Sequence, residues 1–97
     1  MVKHIVMWRL KNAATKASDA ERIKSLLEGL AGAIPGLLKI EVGITFIDDA
    51  NAADLVLYSE FTDAAALAGY QAHPRHLAVV PEVKALASER RAVDYLC

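Results

Sequence analysis

The chain has 97 residues, a length that corresponds to one domain. Hydrophobic residues make up 55% of it, which is rich for so small a chain and indicates that some apolar surface belongs to a partner. The formal net charge of −1 gives no general attraction to nucleic-acid backbones. Cys97 is the only cysteine, so no internal disulfide can form and we expect a cytoplasmic location.

The N-terminal segment predicts a strand and not a signal peptide, because it has neither a sustained apolar stretch nor a small-residue cleavage site. No run of about 18 apolar residues occurs, so we expect no membrane span. Residues 2–10 alternate, and one face of this strand would carry Val2, His4, Val6, Trp8 and Leu10. Ile5 and Met7 make the other face apolar too, which is typical of a strand covered on both sides.

A helix and a second strand follow. Ser18 and Glu21 have the spacing of a capping box, and apolar residues then recur at helical spacing as far as Ile34. Pro35-Gly36 ends this helix. Residues 37–47 predict a strand that places on one face Leu38, Ile40, Val42, Ile44 and Phe46.

The second half begins with a third strand, residues 54–61, and Thr62 or Asp63 can cap the helix that follows. We expect that helix to break at Pro74, because a proline disfavours helical geometry in the residue before it.

Helical spacing resumes from Leu77 to Ala87, with Pro81 acceptable as a first-turn residue, and residues 89–96 predict a last strand. The order is therefore βαββαβ, an α+β domain over residues 1–97 with helices on one face of one sheet.

Two helices can cover only one side of such a sheet. On this reasoning the uncovered side would expose Val6, Trp8, Leu55 and Leu57, a patch too apolar to remain in water. A homodimer packed sheet face to sheet face would bury that patch.

The segment Tyr70-Gln71-Ala72-His73-Pro74-Arg75-His76 holds two of the three histidines of the chain. Histidine has an unperturbed pKa of about 6.5, close to neutral pH. A break at the proline can direct residues 70, 73 and 76 into one cavity as an acid/base cluster. The alternative is that these are surface residues at a helix break.

Six segments occur in a fixed order: Val2-Lys3-His4-Ile5-Val6, Ile34-Pro35-Gly36-Leu37, Val42-Gly43, Tyr58-Ser59-Glu60-Phe61, Tyr70 with His73-Pro74-Arg75-His76, and Val93-Asp94-Tyr95. Over essentially the full length they resemble the stress-responsive α/β-barrel (Dabb) family of the dimeric α/β-barrel superfamily. The resemblance implies a ferredoxin-like βαββαβ fold with a four-stranded antiparallel sheet. It also implies that the sheet pairs with a second copy to form a barrel.

The functions that the resemblance implies are mixed. Some members are stress-induced proteins, many bacterial members have no assigned activity, and one plant branch cyclises linear polyketides with a tyrosine and a histidine. By position these two look like Tyr70 and His76, with His4 lining the same pocket. The cyclase-like members have bulky aromatics where this chain has Ile23, Lys24, Leu27, Arg90 and Ala92, so a smaller or anionic ligand fits as well as a polyketide.

We therefore expect a small-molecule cavity in which Tyr70 and His76 are catalytic. The expected ligand-binding residues are His4, Val6, Trp8, Leu57, His73 and Arg90. A tyrosine can donate a hydrogen bond to a carbonyl oxygen as negative charge develops, and a neutral histidine can remove a proton. A lyase, cyclase or isomerase step on a carbonyl compound would then need no cofactor and no metal. The alternative is a non-catalytic stress-response or ligand-binding protein.

Two rival classes have weaker support. A zinc centre would take His4, His73 and His76 with a water, but no carboxylate or cysteine lies beside them in sequence. An RNA-recognition domain shares the βαββαβ order, but its third strand needs basic and aromatic residues in a motif that residues 54–61 lack.

Overall fold

The computed structural model describes all 97 residues. A four-stranded sheet carries helices on one face, and its elements are β1 (Val2–Leu10), a short 3₁₀ turn (Ala13–Thr15), α1 (Lys16–Glu28), β2 (Leu37–Ile44), β3 (Leu55–Phe61), α2 (Ala64–Ala72), α3 (Pro74–Leu86) and β4 (Ala87–Leu96). The strand order is β2-β3-β1-β4, and every neighbouring pair is antiparallel. The predicted ferredoxin-like βαββαβ fold is confirmed, with α2 and α3 sharing the second helical position. None of the helices has the length and apolar character needed to cross a membrane.

The helix-covered face of the sheet holds the core of the chain. Val6, Trp8, Leu55 and Leu57 belong to it, and none of their side chains is more than 6% exposed. The expectation that these four residues lie on the uncovered face, ready for a partner, is therefore wrong. It failed because β1 has apolar residues on both faces, so alternation alone does not say which face meets the helices.

The uncovered face, which we call the outer face, is built from the alternate residues of the strands. Ile5 pairs with Tyr58 on one side and with Val93 on the other, and Met7 pairs with Val56 in the next row. Met7 and Val93 are 43% and 50% exposed. An unpartnered apolar surface therefore exists, but it is made of other residues than those the sequence suggested.

Helix α1 starts earlier than the predicted capping box. Thr15 is its N-cap residue, and the Thr15 hydroxyl donates to the Asp19 carboxylate over 2.7 Å. Ser18 lies inside the helix and donates to the Thr15 carbonyl, so Ser18 and Glu21 do not form a capping box. The 3₁₀ turn capped by Asn12 has already started helical winding before Ser18 is reached.

The first helix also ends early, and the second strand is shorter than predicted. Turns after Glu28 carry Leu30 and Ile34 into the core. A register shift at the start of β2 leaves Leu38 outside the ladder with β3 and 57% exposed, and Phe46, beyond the end of β2, is 94% exposed. The single-face alternation predicted for residues 37–47 therefore does not hold throughout.

His73 separates the last two helices, as the sequence predicted. Its backbone is extended, with φ −68° and ψ 135°, and its Nδ1 accepts a hydrogen bond from the Arg75 N–H over 3.1 Å. Pro74 takes the first position of α3, where a backbone N–H is not needed. Because α3 begins there and not at Leu77, Pro81 lies inside the helix and not in its first turn.

Gly36 fixes the start of β2 beneath α2, the helix that carries Tyr70. Its φ is +81°, and a Cβ at this position would lie 2.5 Å from the Cβ of Ala66. Gly32 also has a positive φ, +75°, but nothing lies within 4 Å of the corresponding position. Both glycines have a backbone conformation that would strain another residue, but only Gly36 is also closely packed.

We expect Gly36→Ala to lower the free energy of unfolding more than Gly32→Ala. Each change costs about 1–2 kcal/mol for an alanine in left-handed geometry, and only the first adds an overlap with Ala66. Urea denaturation measures both. With Ala66→Gly as the parent protein, Gly36→Ala should cost no more than Gly32→Ala, because the overlapping Cβ is absent. Equal losses for the two single variants in the wild type would show that the close approach is unimportant.

Candidate functional site

A cavity of about 470 Å³ lies between α3 and the helix-covered face of the sheet near β1 and β4. This volume is in the range of small-molecule sites. Most of its lining is apolar, and the lining residues are His4, Val6, Trp8, Leu27, Leu57, Tyr70, His76, Val79, Val80, Val83, Lys84, Ala87, Ser88, Glu89 and Arg90.

The cavity brings together most of the residues expected at a site. Its lining includes both expected catalytic residues, Tyr70 and His76, and five of the expected ligand-binding residues: His4, Val6, Trp8, Leu57 and Arg90. His73 does not line the cavity, because its ring caps α3. The idea that residues 70, 73 and 76 share one cavity is therefore correct for the first and last only.

The sequence reasoning missed the wall that α3 contributes. His76 and four further residues of that helix, Val79, Val80, Val83 and Lys84, line the cavity. They follow His76 at the spacing i+3, i+4, i+7 and i+8, which is one face of a helix. That spacing was visible in the sequence, and it would have identified the wall once His76 was taken as a cavity residue.

Tyr70 has a fully buried side chain, and its hydroxyl has no hydrogen-bond partner. Its ring packs against Phe61, with 5.1 Å between ring centroids, so the ring is held in place. Burial raises the pKa of Tyr70 to about 12, and the charge of Arg90 opposes this rise in part. The phenol is therefore protonated at neutral pH and available as a hydrogen-bond donor.

His76 lies against Tyr70, with 4.2 Å between ring centroids and 38° between ring planes. Its Nδ1 is 3.3 Å from the Gln71 carbonyl oxygen. A carbonyl only accepts, so Nδ1 carries the proton and Nε2 keeps its lone pair. Burial lowers the pKa of His76, the charges of His4 and Arg90 lower it further, and the Gln71 carbonyl acts in the opposite direction. The ring is therefore neutral at pH 7 and can act as a base.

His4 provides a second imidazole on the sheet side. Its side chain is buried, and its Nδ1 contacts the carboxylate of Asp94, which pairs with His4 across β1 and β4. The Ser59 hydroxyl donates to the His4 carbonyl over 2.7 Å and holds the strand there. Because the carboxylate accepts at Nδ1, the other ring nitrogen is left free.

Asp94 is a residue of the candidate site that the sequence reasoning did not identify. The antiparallel register of β1 and β4 would have revealed it, because His4 and Asp94 are direct partners there. That register can be read only after β1 and β4 are known to be neighbours, because the two residues lie at opposite ends of the chain.

The three histidines do not form a metal site. His73 is engaged at the helix break, while His4 and His76 each lie near Tyr70, with 6.1 and 4.2 Å between ring centroids. No group of three or more histidine, cysteine, aspartate or glutamate side chains is placed to hold a metal ion. The arrangement is instead one phenolic donor near two imidazoles, which can polarise a carbonyl and move a proton.

A family model described as the stress responsive A/B barrel domain (Dabb) matches residues 2–97. The chain therefore belongs to this family. No curated protein is significantly similar to it in sequence.

Solved structures share the fold. A dimeric protein of unknown function with a ferredoxin-like fold from Bacteroides fragilis is 30% identical, with a TM-score of 0.87 over 99% of this chain and 95% of that one. A Dabb family protein from Mesorhizobium loti is 22% identical, with a TM-score of 0.75 over 99% and 95%. Hydroxynitrile lyase from Passiflora edulis is 19% identical, with a TM-score of 0.84 over 99% and 92%.

The raised pKa of Tyr70 predicts an alkaline loss of stability. Unfolding returns the phenol to its ordinary pKa of about 10, so above that pH the unfolded state loses its proton first and is favoured. The stability is present below pH 10 and is lost as pH rises towards about 12. Two pKa units correspond to about 3 kcal/mol.

Denaturant unfolding of the wild type between pH 8 and about 12 should show this loss, and Tyr70→Phe should remove most of it. Tyr95→Phe is the matched control, because it removes an exposed phenol and leaves Tyr70 in place. An equal alkaline loss in the wild type and in Tyr70→Phe would mean that the phenol is not buried as described.

Proposed function

We propose that this member of the stress-responsive A/B barrel family is a homodimer that binds a small carbonyl compound in the cavity and acts on it as a cofactor-free lyase, cyclase or isomerase. The observation that carries the proposal is the Tyr70 hydroxyl, buried without a partner beside His76. An unpaired buried donor costs about 1–3 kcal/mol. A ligand oxygen accepting from this hydroxyl would remove that cost.

In this proposal Tyr70 is the electrophilic partner. Its hydroxyl donates to the carbonyl oxygen of the ligand, and the bond strengthens as negative charge develops on that oxygen. Its pKa of about 12 keeps the proton on the phenol, so it polarises the carbonyl and is not a base at neutral pH.

His76 is the base. Its free Nε2 takes the proton from the carbon beside the carbonyl, and the electron pair of that C–H bond forms the enolate that Tyr70 stabilises. In a lyase step, the same atom takes the proton of a hydroxyl, and the O–H electron pair forms the π bond of the new carbonyl. The bond from that carbon to the leaving carbon breaks, and the leaving carbanion keeps that electron pair and takes the proton back from His76. The lowered pKa of His76 keeps the ring neutral and ready for this transfer.

His4 assists from the sheet, with 6.1 Å between its ring centroid and that of Tyr70. Asp94 holds its tautomer, so its free nitrogen can receive or return a proton. A positive charge on His4 lowers the pKa of His76 and so favours the neutral form of the His76 ring. We therefore assign Asp94 as a positioning residue for His4.

The fold by itself does not decide between activities. One protein of the same fold is named as a hydroxynitrile lyase, which is compatible with lyase chemistry at such a cavity. The weight of the proposal rests on Tyr70 and His76 in this chain.

A non-catalytic ligand-binding protein, active in a stress response, is the second candidate. The mostly apolar lining favours it, because such a lining can hold a ligand and the Tyr70 hydroxyl can recognise one oxygen without reaction. Measured turnover separates the two candidates.

The catalytic prediction is a rate of hydrogen–deuterium exchange. We expect the protein to accelerate exchange at the carbon beside the carbonyl of aryl ketones in D₂O, followed by NMR. Tyr70→Phe and His76→Ala should each reduce the rate by roughly 10²–10³. His73→Asn, outside the cavity and still able to cap α3, should keep the rate. Protonation of His76 removes the base, so the rate should fall on the acid side with a midpoint below about 6.5.

Binding of these ketones without exchange would favour the non-catalytic candidate. A rate that Tyr70→Phe and His76→Ala leave unchanged would rule out the assigned roles.

The proposed homodimer forms through the outer face. The centre of that face is apolar, with Ile5, Met7 and Val93, and its margin is charged, with Lys3, Arg9, Lys39, Glu41, Glu60 and Arg91. An apolar centre with a polar rim is the usual composition of a protein interface. The relative from Bacteroides fragilis is described as dimeric.

We expect Ile5→Asp to convert the dimer to a monomer, because an unpaired carboxylate would lie in an apolar interface at a cost of several kcal/mol. Light scattering at micromolar concentration measures the mass. Leu77→Asp is the matched control, since Leu77 is 53% exposed on α3 and away from the outer face. A wild type that scatters as the 10.5 kDa monomer would contradict the proposed dimer.

For location we propose the cytoplasm. Cys97 is free and exposed, and a reducing compartment protects such a thiol from oxidation. Cell fractionation that recovers the protein elsewhere would contradict this assignment.

A further inference from the structure

We propose that the ligand of the cavity is an oxo acid, whose carbonyl oxygen accepts from Tyr70 and whose carboxylate pairs with Arg90. This inference rests on the proposed function and deepens it by naming the class of ligand. It follows from the position, the charge and the exposure of Arg90 relative to Tyr70.

The position of Arg90 is set by strand register. Arg90 pairs with Trp8 across β4 and β1, and Trp8 belongs to the helix-covered face, so Arg90 points to the cavity side of the sheet. Arg91 pairs with Met7 and belongs to the outer face. Arg90 and Arg91, although adjacent on β4, therefore lie on opposite faces of the sheet.

The charge of Arg90 is not neutralised within the chain. The ion pairs are His4–Asp94, Lys16–Asp54, Arg22–Glu82, Lys24–Glu28 and Lys39–Glu41. Lys84, on the facing wall, is equally without an ion pair, and Glu89 is the only carboxylate among the lining residues. Glu89 pairs in register with Arg9 of the outer face, so the cations Arg90 and Lys84 leave the cavity wall positive, which suits an anionic ligand.

The polar groups of the cavity are also ordered by depth. Tyr70 is fully buried, whereas Arg90 is exposed, so the guanidinium lies on the solvent side of the phenol. A ligand with its carbonyl at Tyr70 and its carboxylate at Arg90 would keep its charged end close to water. That orientation avoids most of the cost of moving a carboxylate into an apolar cavity.

Arg90 also acts on the two reactive groups. Its charge lowers the pKa of Tyr70 and of His76, and all three residues line the same cavity. A carboxylate that neutralises Arg90 would cancel this effect and raise the pKa of His76. An oxo acid would therefore make His76 a stronger base on binding, whereas a neutral ketone would not.

The test compares acids with their own esters. Isothermal titration calorimetry would measure binding of phenylglyoxylate and of 4-oxo-4-phenylbutanoate, each against its methyl ester, which keeps the ketone and removes the charge. We expect the wild type to bind at least one acid about tenfold or more tightly than its ester. Arg90→Gln should remove that preference, and Arg91→Gln should keep it.

Histidine NMR provides a second measurement that does not depend on affinity. Saturation with the preferred acid should raise the pKa of His76 in the wild type, and the ester should leave it unchanged. In Arg90→Gln the acid should no longer raise the pKa of His76, because the positive charge that its carboxylate would neutralise is absent.

The possible failures are distinguishable. If acid and ester bind equally and Tyr70→Phe weakens both, the oxo-acid inference is wrong and the proposed carbonyl site stands. If the acids bind more tightly but Arg90→Gln keeps the preference, the carboxylate lies elsewhere and the inference is again wrong. If neither acids nor esters bind the wild type, both the inference and the proposed function are overturned.

Discussion

The structure depends on a sheet that its own helices cover on one face only. Side chains alternate along each strand, so β1 sends Val6 and Trp8 into the core and Ile5 and Met7 to the outer face. The helices leave β4 uncovered, since every residue of that strand after Ala87 is exposed. The cavity lies beside this uncovered strand, under α3. One constraint therefore creates both surfaces that the proposed function needs, a concave one under α3 for a ligand and an open one for a second copy.

The helix break at His73 and Pro74 brings Tyr70 and His76 together. In an unbroken helix, residues six apart are separated by about 9 Å along the axis and point to different sides. The extended backbone of His73 lets α3 change direction, and Tyr70 and His76 come to 4.2 Å between ring centroids. His73 has a structural role here, because its ring caps α3. His73, which the sequence suggested as a ligand-binding residue, thus helps to position Tyr70 and His76, which line the cavity.

Much of this could be predicted from the sequence, and the failures have physical causes. Strand β1 and the break before Pro74 have strong local signals, an alternating pattern and a proline, and both are found where predicted. The face assignment of Trp8 failed because β1 is apolar on both sides. The capping box at Ser18 failed because an earlier turn had already started the helix. Asp94 was missed because its contact with His4 depends on which strands are neighbours, which local sequence does not state.

The Tyr70 hydroxyl makes the cavity costly to leave empty. A phenylalanine would fill the same space without an unpaired donor, so the hydroxyl lowers the stability of the free chain by about 1–3 kcal/mol. Arg90 adds a cation that forms no ion pair with a side chain of the protein. Its charge lowers the pKa of His76 and so disfavours the protonated form of that ring. The unpaired hydroxyl is unfavourable in the free protein, and one ligand with an oxygen at each end would pair with both groups. Such a ligand binds the folded state alone, so its binding free energy is added to the free energy of unfolding. Tyr70, whose hydroxyl weakens the empty chain, is therefore also a residue through which a ligand would stabilise it.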